Sequence, residues 1–430
     1  MDFKQLYTGT TPNTSIMIFR IVFGLILLIQ TYYFIINQFI DTNIINPLLL
    51  FPFITGLAPF SKTNLLIIGY IMLLANIGIL FNKTAKISTL VFGCCFTYFW
   101  LLDKGYFNNH YYFISLICLL LFVAEKESSF KKNILISKTS LFSLQMMIFL
   151  IYFVAGINKL NPYWLFDLQP IKHILEVKFM VTDNLFFQQK WITIFMVYFG
   201  LLFDLFIGFL LFFKKTRLIG FLLVIGFNIV NFYLFKDIGE IGVFPFLMIS
   251  TLILFIDPNK ISTFLNLNTK PKQVFKNTNT VNKLIFGFLI IQLILPFRHV
   301  LFKGYVDYNG VGQRFAWRMK IMYKDSNINY FIEDKISKQK YSVDVTKMLT
   351  PTQYNNLKYY PDLIIPLAKR IKSEANTKFN IKFAKVSCHY EVNFMGKYKQ
   401  LLFSPEKDLS KISEKQLTNK WVKPLKKIKY

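Results

Sequence analysis

The sequence predicts a polytopic all-α membrane domain of about nine transmembrane helices, residues 1–302, followed by an α+β extracytoplasmic domain, residues 303–430. Three observations predict it. Of the 430 residues 54% are hydrophobic, and the 49 phenylalanines exceed what one soluble core needs. Apolar runs of about 18–20 residues, the length that crosses a hydrocarbon core, recur to about residue 300 and then stop. Past that point the chain carries 26 Lys and Arg against 11 Asp and Glu, with short alternating runs in place of long apolar ones.

The expected spans are 15–37, 64–82, 87–103, 110–124, 141–158, 193–213, 218–235, 241–256 and 284–302. The first is too long for a signal-peptide core and has no small-residue cleavage site behind it, so it reads as a retained span. Segment 46–60 is apolar but interrupted by Pro47, Pro52 and Pro59, and reads as re-entrant or interfacial. With the N-terminus inside, the inner loops collect most of the loop lysines and arginines, among them Lys126, Lys131, Lys132, Lys214, Lys215, Arg217, Lys270 and Lys272. That bias places the N-terminus in the cytoplasm and, with nine crossings, the C-terminal domain outside.

In the C-terminal domain the stretches around Tyr330, around Tyr341 and from Phe379 alternate as strands do. Residues 352–375 between them carry Leu363, Leu367 and Ile371 at helical spacing. The net charge of +27 lies on a chain that is mostly membrane, which argues against nucleic acid and for a lipid surface or an acidic substrate. Cys94, Cys95, Cys118 and Cys388 form neither a disulfide framework nor a zinc pattern, and no metal site is expected.

Ionisable groups in an apolar domain mark sites or structural pairs. Lys159 closes the run Leu141–Ile157 and is the first candidate for chemistry, because a desolvated lysine that sheds its proton is a base; the plain alternative is a side chain that snorkels to the interface. His110 opens the fourth span. Asn228 lies about 10 Å below the outer end of the seventh, and Asn231 shares its helix face. The outer ends of these spans would surround one polar pocket, although helix-joining asparagines and an interfacial histidine account for the same residues. Arg20 paired with a carboxylate such as Asp204 reads as structural.

At these residues the chain resembles the vitamin K-dependent γ-glutamyl carboxylase family, which includes bacterial homologues with the same transmembrane domain. The resemblance is carried by FRIVFG at 19–24, LLDKGYFNNHYY at 101–112, IYFVAGINKLNPYW at 151–164, FDLFIGFLLFFKKTRLIGF at 203–221 and LFKDIGEIGVFPFLM at 234–248. LILPFRHVLFKGY at 293–305, GQRFAWRM at 312–319 and WVKPL at 421–425 extend it to the end.

The resemblance implies a membrane enzyme that couples epoxidation of a reduced vitamin K or menaquinol-type hydroquinone by O2 to CO2 addition at the γ-carbon of protein glutamate. It assigns the initiating base to Lys159 and makes His110 a second catalytic residue. Asn109, Trp164, Asn228 and Asn231 would line the quinone pocket, and Arg314, Trp317 and Arg318 would hold the substrate glutamate. The implied partners are membrane lipid, a glutamate-containing protein or peptide and a quinone reductase; the implied location is a bacterial inner membrane.

Two departures bear on this. Asn228 stands where the family has a histidine, and an amide accepts no proton at neutral pH. Residues Lys236–Glu240 interrupt the LF…IG segment and add Asp237 and Glu240. A quinone-linked oxidase or epoxidase without carboxylation, and a non-catalytic quinone- or lipid-binding membrane protein, are the competing readings. A transporter lacks support from any inverted repeat.

Overall fold

A computed structural model describes residues 3–125, 129–237, 241–267, 273–378, 381, 384–413 and 421–425. Glu240, Lys126, Lys270 and Lys272 of the sequence expectations lie outside the described residues. The chain divides into two compact units. Unit 1 is Met1–Gln38, Ser61–Tyr98 and Asn109–Leu295; unit 2 is Phe39–Phe60, Phe99–Asn108 and Pro296–Tyr430. The division falls at Leu295/Pro296, and unit 2 takes in two segments that the expected boundary at 302/303 assigns to the membrane domain.

Unit 1 begins with α1 (Phe3–Thr8), β1 (Thr10–Pro12), α2 (Thr14–Ile36), α3 (Lys62–Leu80), α4 (Ala85–Leu101) and α5 (Asn109–Ala124). After β2 (Ile134–Ser137) come α6 (Lys138–Asn158), α7 (Pro162–Leu165), α8 (Ile171–Thr182), α9 (Lys190–Phe212) and α10 (Arg217–Phe235). The unit closes with α11 (Phe244–Ser250), α12 (Pro258–Phe264), β3 (Gln273–Phe275) and α13 (Asn279–Ile294). Long Leu, Ile and Phe runs become helices because hydrocarbon offers the backbone no partner outside its own ladder.

Each of the nine expected runs is helical, but they are not nine equal spans. Among the described residues six helices are long and apolar enough to cross a membrane, and a bent pair brings the number to seven. α4 and α5 have only 17 and 16 residues. The expected span 241–256 is part of the bent pair: α11 and its 3₁₀ extension turn by 88° into α12. Asp257 caps the new helix and Pro258 occupies its first turn, where a proline has no N–H to donate to the preceding ladder. Segment 46–60 forms no span.

A small sheet in unit 1 was not expected. β1 pairs antiparallel with β2, and β2 pairs parallel with β3. The strands run into the starts of α2, α6 and α13, so those three helices begin at one end of the unit. The pairing of Arg20 also differs from expectation. Arg20 is fully buried, donates to the Ile79 carbonyl and Asn82 Oδ1, and lies 3.7 Å from Glu125. Asp204 is engaged elsewhere, by Lys159.

α6 packs on α9. At Gly156 the approach is so close that a Cβ would lie 2.8 Å from Leu205 N and 2.9 Å from the Leu205 side chain. Small residues are what permit such contact between membrane helices. Gly156→Val is therefore expected to cost about 1–3 kcal/mol by overpacking. A thermal-inactivation midpoint equal to that of the wild type would contradict this.

Unit 2 contains α14 (Val306–Asn309), β4 (Lys324–Asp334), β5 (Lys340–Val343), α15 (Pro351–Leu357), α16 (Ile364–Lys378), β6 (Ala384–Phe394) and β7 (Tyr398–Leu401). The strands form one antiparallel sheet in the order β5-β4-β6-β7. α16 packs on β6 through its face of Ile364, Leu367, Ala368 and Ile371, all buried. The helical pattern at 352–375 is split into α15 and α16 around Pro361. The alternation of β4 turns Ile328, Tyr330 and Ile332 inward, and Lys324 with them.

Lys324 is buried and its Nζ donates to the Tyr359 carbonyl at 3.0 Å. Burial pulls its amine from 10.5 down to about 7, against the attraction of Asp307. Below about 7 the amine is charged in the folded and the unfolded chain, and the full penalty of burying it is present. As pH rises above that, the folded chain has lost a proton that the unfolded chain keeps, so stability rises until the unfolded amine also titrates, near 10.5. The denaturation midpoint of unit 2 is expected to climb across this range in the full-length protein, and Lys324→Met to flatten the climb. An unchanged slope in the variant would refute the assignment.

Candidate functional site

In unit 1 the centre is built on one stripe of α9. Val197, Gly200 and Asp204 follow one another at helical spacing, so their acceptors share a face. Lys159, at the C-terminal end of α6, reaches that face. Its Nζ lies 2.6 Å from Asp204 Oδ2 and donates to the Gly200 carbonyl at 3.0 Å. The side chains of Lys159 and Asp204 are 8% and 7% exposed, so the pair is desolvated and the lysine does not reach open water.

Trp164 walls the same space. Asn161 caps α7 by accepting from Trp164 N at 3.0 Å, and Trp164 Nε1 donates to the Val197 carbonyl at 3.1 Å. The ring is thereby held flat to the amine, 4.8 Å from Nζ to its centroid, which is cation–π range.

The cluster continues through α6 to α10. The Tyr152 ring meets Phe203 edge-on at 5.4 Å, and Phe203 stacks on Phe227 at 4.0 Å. Asn228 is buried; its Nδ2 donates to the Val224 carbonyl at 2.8 Å and to Tyr152 Oη at 3.4 Å. Lys159, Trp164 and, through Tyr152, Asn228 thus belong to one connected set on α6, α7, α9 and α10. His110 is built into different contacts: its ring stacks on Phe244 of α11 at 3.8 Å. Its neighbour Asn109 has a buried Oδ1 without a hydrogen-bond partner. Asn231 is half-buried on α10.

A second ionic centre in unit 1 lies on the inserted segment. Lys178 of α8 is fully buried, 2.7 Å from Asp237 Oδ2, and donates to the Tyr233 carbonyl at 2.9 Å. The inserted Asp237 is thus the counter-ion of a buried lysine.

Unit 2 contains a cavity of about 190 Å³ lined by Phe53, Arg298, Gly312, Arg314, Phe315 and Asp362, among others. The strap beside it is conformationally strained. Phe315, Trp317 and Lys320 have φ of 63°, 52° and 48°, which is costly for bulky L-residues and concentrates at functional sites. Gly312 has φ 79°, and a Cβ there would lie 2.8 Å from His299 Cβ, so the strap requires glycine at this turn.

Arg314 is nine-tenths buried on the cavity wall. It donates to Asp362 Oδ2 at 2.5 Å and stacks on Tyr360 at 4.4 Å, and its Nε and Nη2 are buried without an acceptor. Arg298 donates to the Arg314 carbonyl and lies 5.5 Å from the Phe315 ring. Two arginines against one aspartate leave the cavity net cationic, with open guanidinium donors that suit a carboxylate. Arg318 is placed otherwise: its Nε and Nη2 close on Asp307 at 2.7 and 2.5 Å, and both side chains are buried. Trp317 is fully buried.

The structure gathers Lys159, Trp164 and Asn228 in one cluster and puts Arg314 on the unit 2 cavity; the sequence gives no sign of Asp204 as the partner of Lys159, or of Arg298, Phe53 and Asp362 around Arg314. Asp204 stands in the FDLFIGF motif; the signal was present and its partner was not. Among the described residues no group of His, Cys, Asp and Glu has metal-binding geometry.

A family model described as HTTM domain matches residues 9–259. A second, described as vitamin K-dependent gamma-carboxylase, lumenal domain, matches residues 277–428. No solved structure matches the chain.

Proposed function

The chain belongs to the vitamin K-dependent gamma-carboxylase family, and from that premise we propose that it is a γ-glutamyl carboxylase homologue of a bacterial inner membrane. In this reading it couples epoxidation of a reduced naphthoquinone by O2 to CO2 addition at the γ-carbon of protein glutamate. The observation that carries the reading is Lys159, an amine buried on Asp204 and Gly200 against the face of Trp164.

The residues fit a hydroquinone. Trp164, Tyr152, Phe203 and Phe227 offer flat apolar faces beside Lys159; Asn109, next to His110 at the start of α5, carries a separate buried acceptor, Oδ1. When bound, the hydroquinone supplies, with O2, the reducing equivalents and the strong base that glutamate deprotonation requires. Lys159 takes the first proton, from a ring hydroxyl. The apolar walls keep out water that would quench a strong base. His110 contributes a second polar group at the start of α5, and Asn228 and Asn231 hold α10 in register. In unit 2, Arg314 takes the glutamate carboxylate with its two open donors, Arg298 adds charge, and Arg318 with Trp317 braces the strap.

The unit 1 sheet supports a complete count of crossings. Because α2, α6 and α13 start at one end, an even number of crossings must separate each start from the next. The bent pair α11–α12 then counts as one crossing, and α4 and α5 count together. Counting both gives about nine, with the N-terminus cytoplasmic, the C-terminal region outside and the boundary near residue 302. A membrane quinone reductase would return the hydroquinone.

The test gives purified full-length protein a reduced naphthoquinone, a glutamate peptide and labelled bicarbonate. Label in the peptide together with epoxide is expected, and neither product overturns the reading. Arg314→Ala is expected to raise the KM for peptide by about tenfold or more, the loss of a charged hydrogen-bonding partner, with epoxide formation in the absence of peptide unchanged. Asn228 favours one alternative: its amide is fixed on Val224 and Tyr152 and has no proton to accept or return. Epoxide without label would select that quinone-linked epoxidase.

A further inference from the structure

The contact between Lys159 and Asp204 does more than tie α6 to α9. Nζ has three possible hydrogen positions; Gly200 and Asp204 take two, and the Trp164 face lies against the third side. Both acceptors come from a single turn of α9, so the amine is held from one side only. A Cβ at Gly200 would make only ordinary contact, 3.6 Å from Nζ and 3.9 Å from the Trp164 ring. Gly156 brings the two helices close enough for the contact.

A buried cation and anion each carry a desolvation penalty, and a short hydrogen bond between them offsets it only in part. The attraction of Asp204 holds the proton on the amine, and moving that proton to the carboxylate removes both buried charges at once. A lysine whose proton is held by a carboxylate has no lone pair to offer, so base action requires that proton to move. The nearest acceptor is Asp204. The remaining titratable group in the described cluster is Tyr152, whose hydroxyl accepts from Asn228 and whose ring packs on Phe203, the residue before Asp204.

We infer that Asp204 is the positioning residue of this centre: it fixes the Lys159 amine in place and is the acceptor to which the amine passes its proton. In the step, an N–H bond of the Lys159 ammonium breaks and an O–H bond forms on Asp204, leaving a neutral amine and a neutral acid. The amine lone pair then accepts a proton from a hydroxyl donor, and no further reactant is consumed. The inference rests on the reading of Lys159 as the base.

The test reads Lys159 itself, without hydroquinone. Full-length protein in detergent is treated with a small amine-reactive aryl fluoride, which attacks only neutral amines, and each lysine peptide is quantified by mass spectrometry. In Asp204→Asn the amide keeps the shape but loses the charge that holds the ammonium. Lys159 is then expected to label about tenfold faster or more at mildly alkaline pH, the effect of removing an adjacent opposite charge. Lys178, equally buried but paired with Asp237, is the internal reference and keeps its rate.

Equal Lys159 rates in wild type and variant overturn the inference, as does a parallel rise at Lys178, which would report loosening of the bundle. Asp204→Glu, which keeps the carboxylate, is expected to label as slowly as wild type; a tenfold rise there also overturns it. In turnover assays the acid limb of kcat/KM is expected to move to lower pH in Asp204→Asn. Acceleration of labelling with no carboxylation in any form would remove the function and leave the pairing. Carboxylation that depends on Lys159, without acceleration, would remove the pairing alone.

Discussion

Lys159→Ala is expected to lower hydroquinone-dependent turnover by about 10²–10⁴-fold, the usual contribution of a positioned acid–base group. The argument is one of supply. Within the described cluster on α6, α7, α9 and α10, the ionisable groups are Lys159, Asp204 and Tyr152, and Asn228 offers only an amide. Removing the amine leaves Asp204 buried without a counter-ion, so loss of activity by misfolding has to be separated from loss of chemistry. Lys159→Arg separates them. It keeps a cation opposite Asp204 but does not lose a proton in a protein. It is expected to be as inactive as the alanine variant while remaining as stable as wild type. Epoxide formed per folded molecule is the measurement, and wild-type turnover in the arginine variant would dismiss Lys159 as the base.

Arg318→Leu is expected to destabilise unit 2 strongly. The Arg318–Asp307 pair is bidentate, with side chains 5% and 0% exposed, so removing the arginine strands a carboxylate in the interior. Breaking one partner of such a pair costs about 3–5 kcal/mol, against a total stability of roughly 5–15 kcal/mol for a typical domain. Asp307 also attracts the buried Lys324, so the same substitution changes the setting of a second charge. The double variant Arg318→Leu with Asp307→Asn removes both charges and is expected to recover most of the loss. Proteolysis of the full-length protein, read at peptides of unit 2, would show it. A single variant as resistant as wild type would mean that the pair braces nothing.

Much of the fold is legible in the sequence because hydropathy and alternation are local. The nine apolar runs and the strands around Tyr330, Tyr341 and Val386 announce themselves. β1 and β3 do not: three residues are too few for a pattern, and their pairing depends on segments far apart in the chain. The bend between α11 and α12 is foreshadowed by Asp257 and Pro258, yet its angle follows from packing. At the candidate site, Lys159 and Trp164 stand out as polar and aromatic interruptions in a motif. The strain of Phe315 and Trp317 has no sequence signal, since neither residue favours a positive φ.

Hydropathy and composition alone establish that the chain enters a membrane, where its helices run, that a polar, basic region follows, and which cations stand where cations are expensive. How those cations are matched follows from the packing of the helices. Arg20 goes to Glu125 and not to Asp204; Lys159 goes to Asp204; Lys178 goes to the inserted Asp237; Arg318 closes on Asp307 while Arg314 keeps two donors open. The physical reason is that hydropathy is a property of one segment, whereas a buried ion pair depends on which helices are neighbours, how each is rotated and how near they come. At Gly156 that approach is a matter of a single absent methyl group.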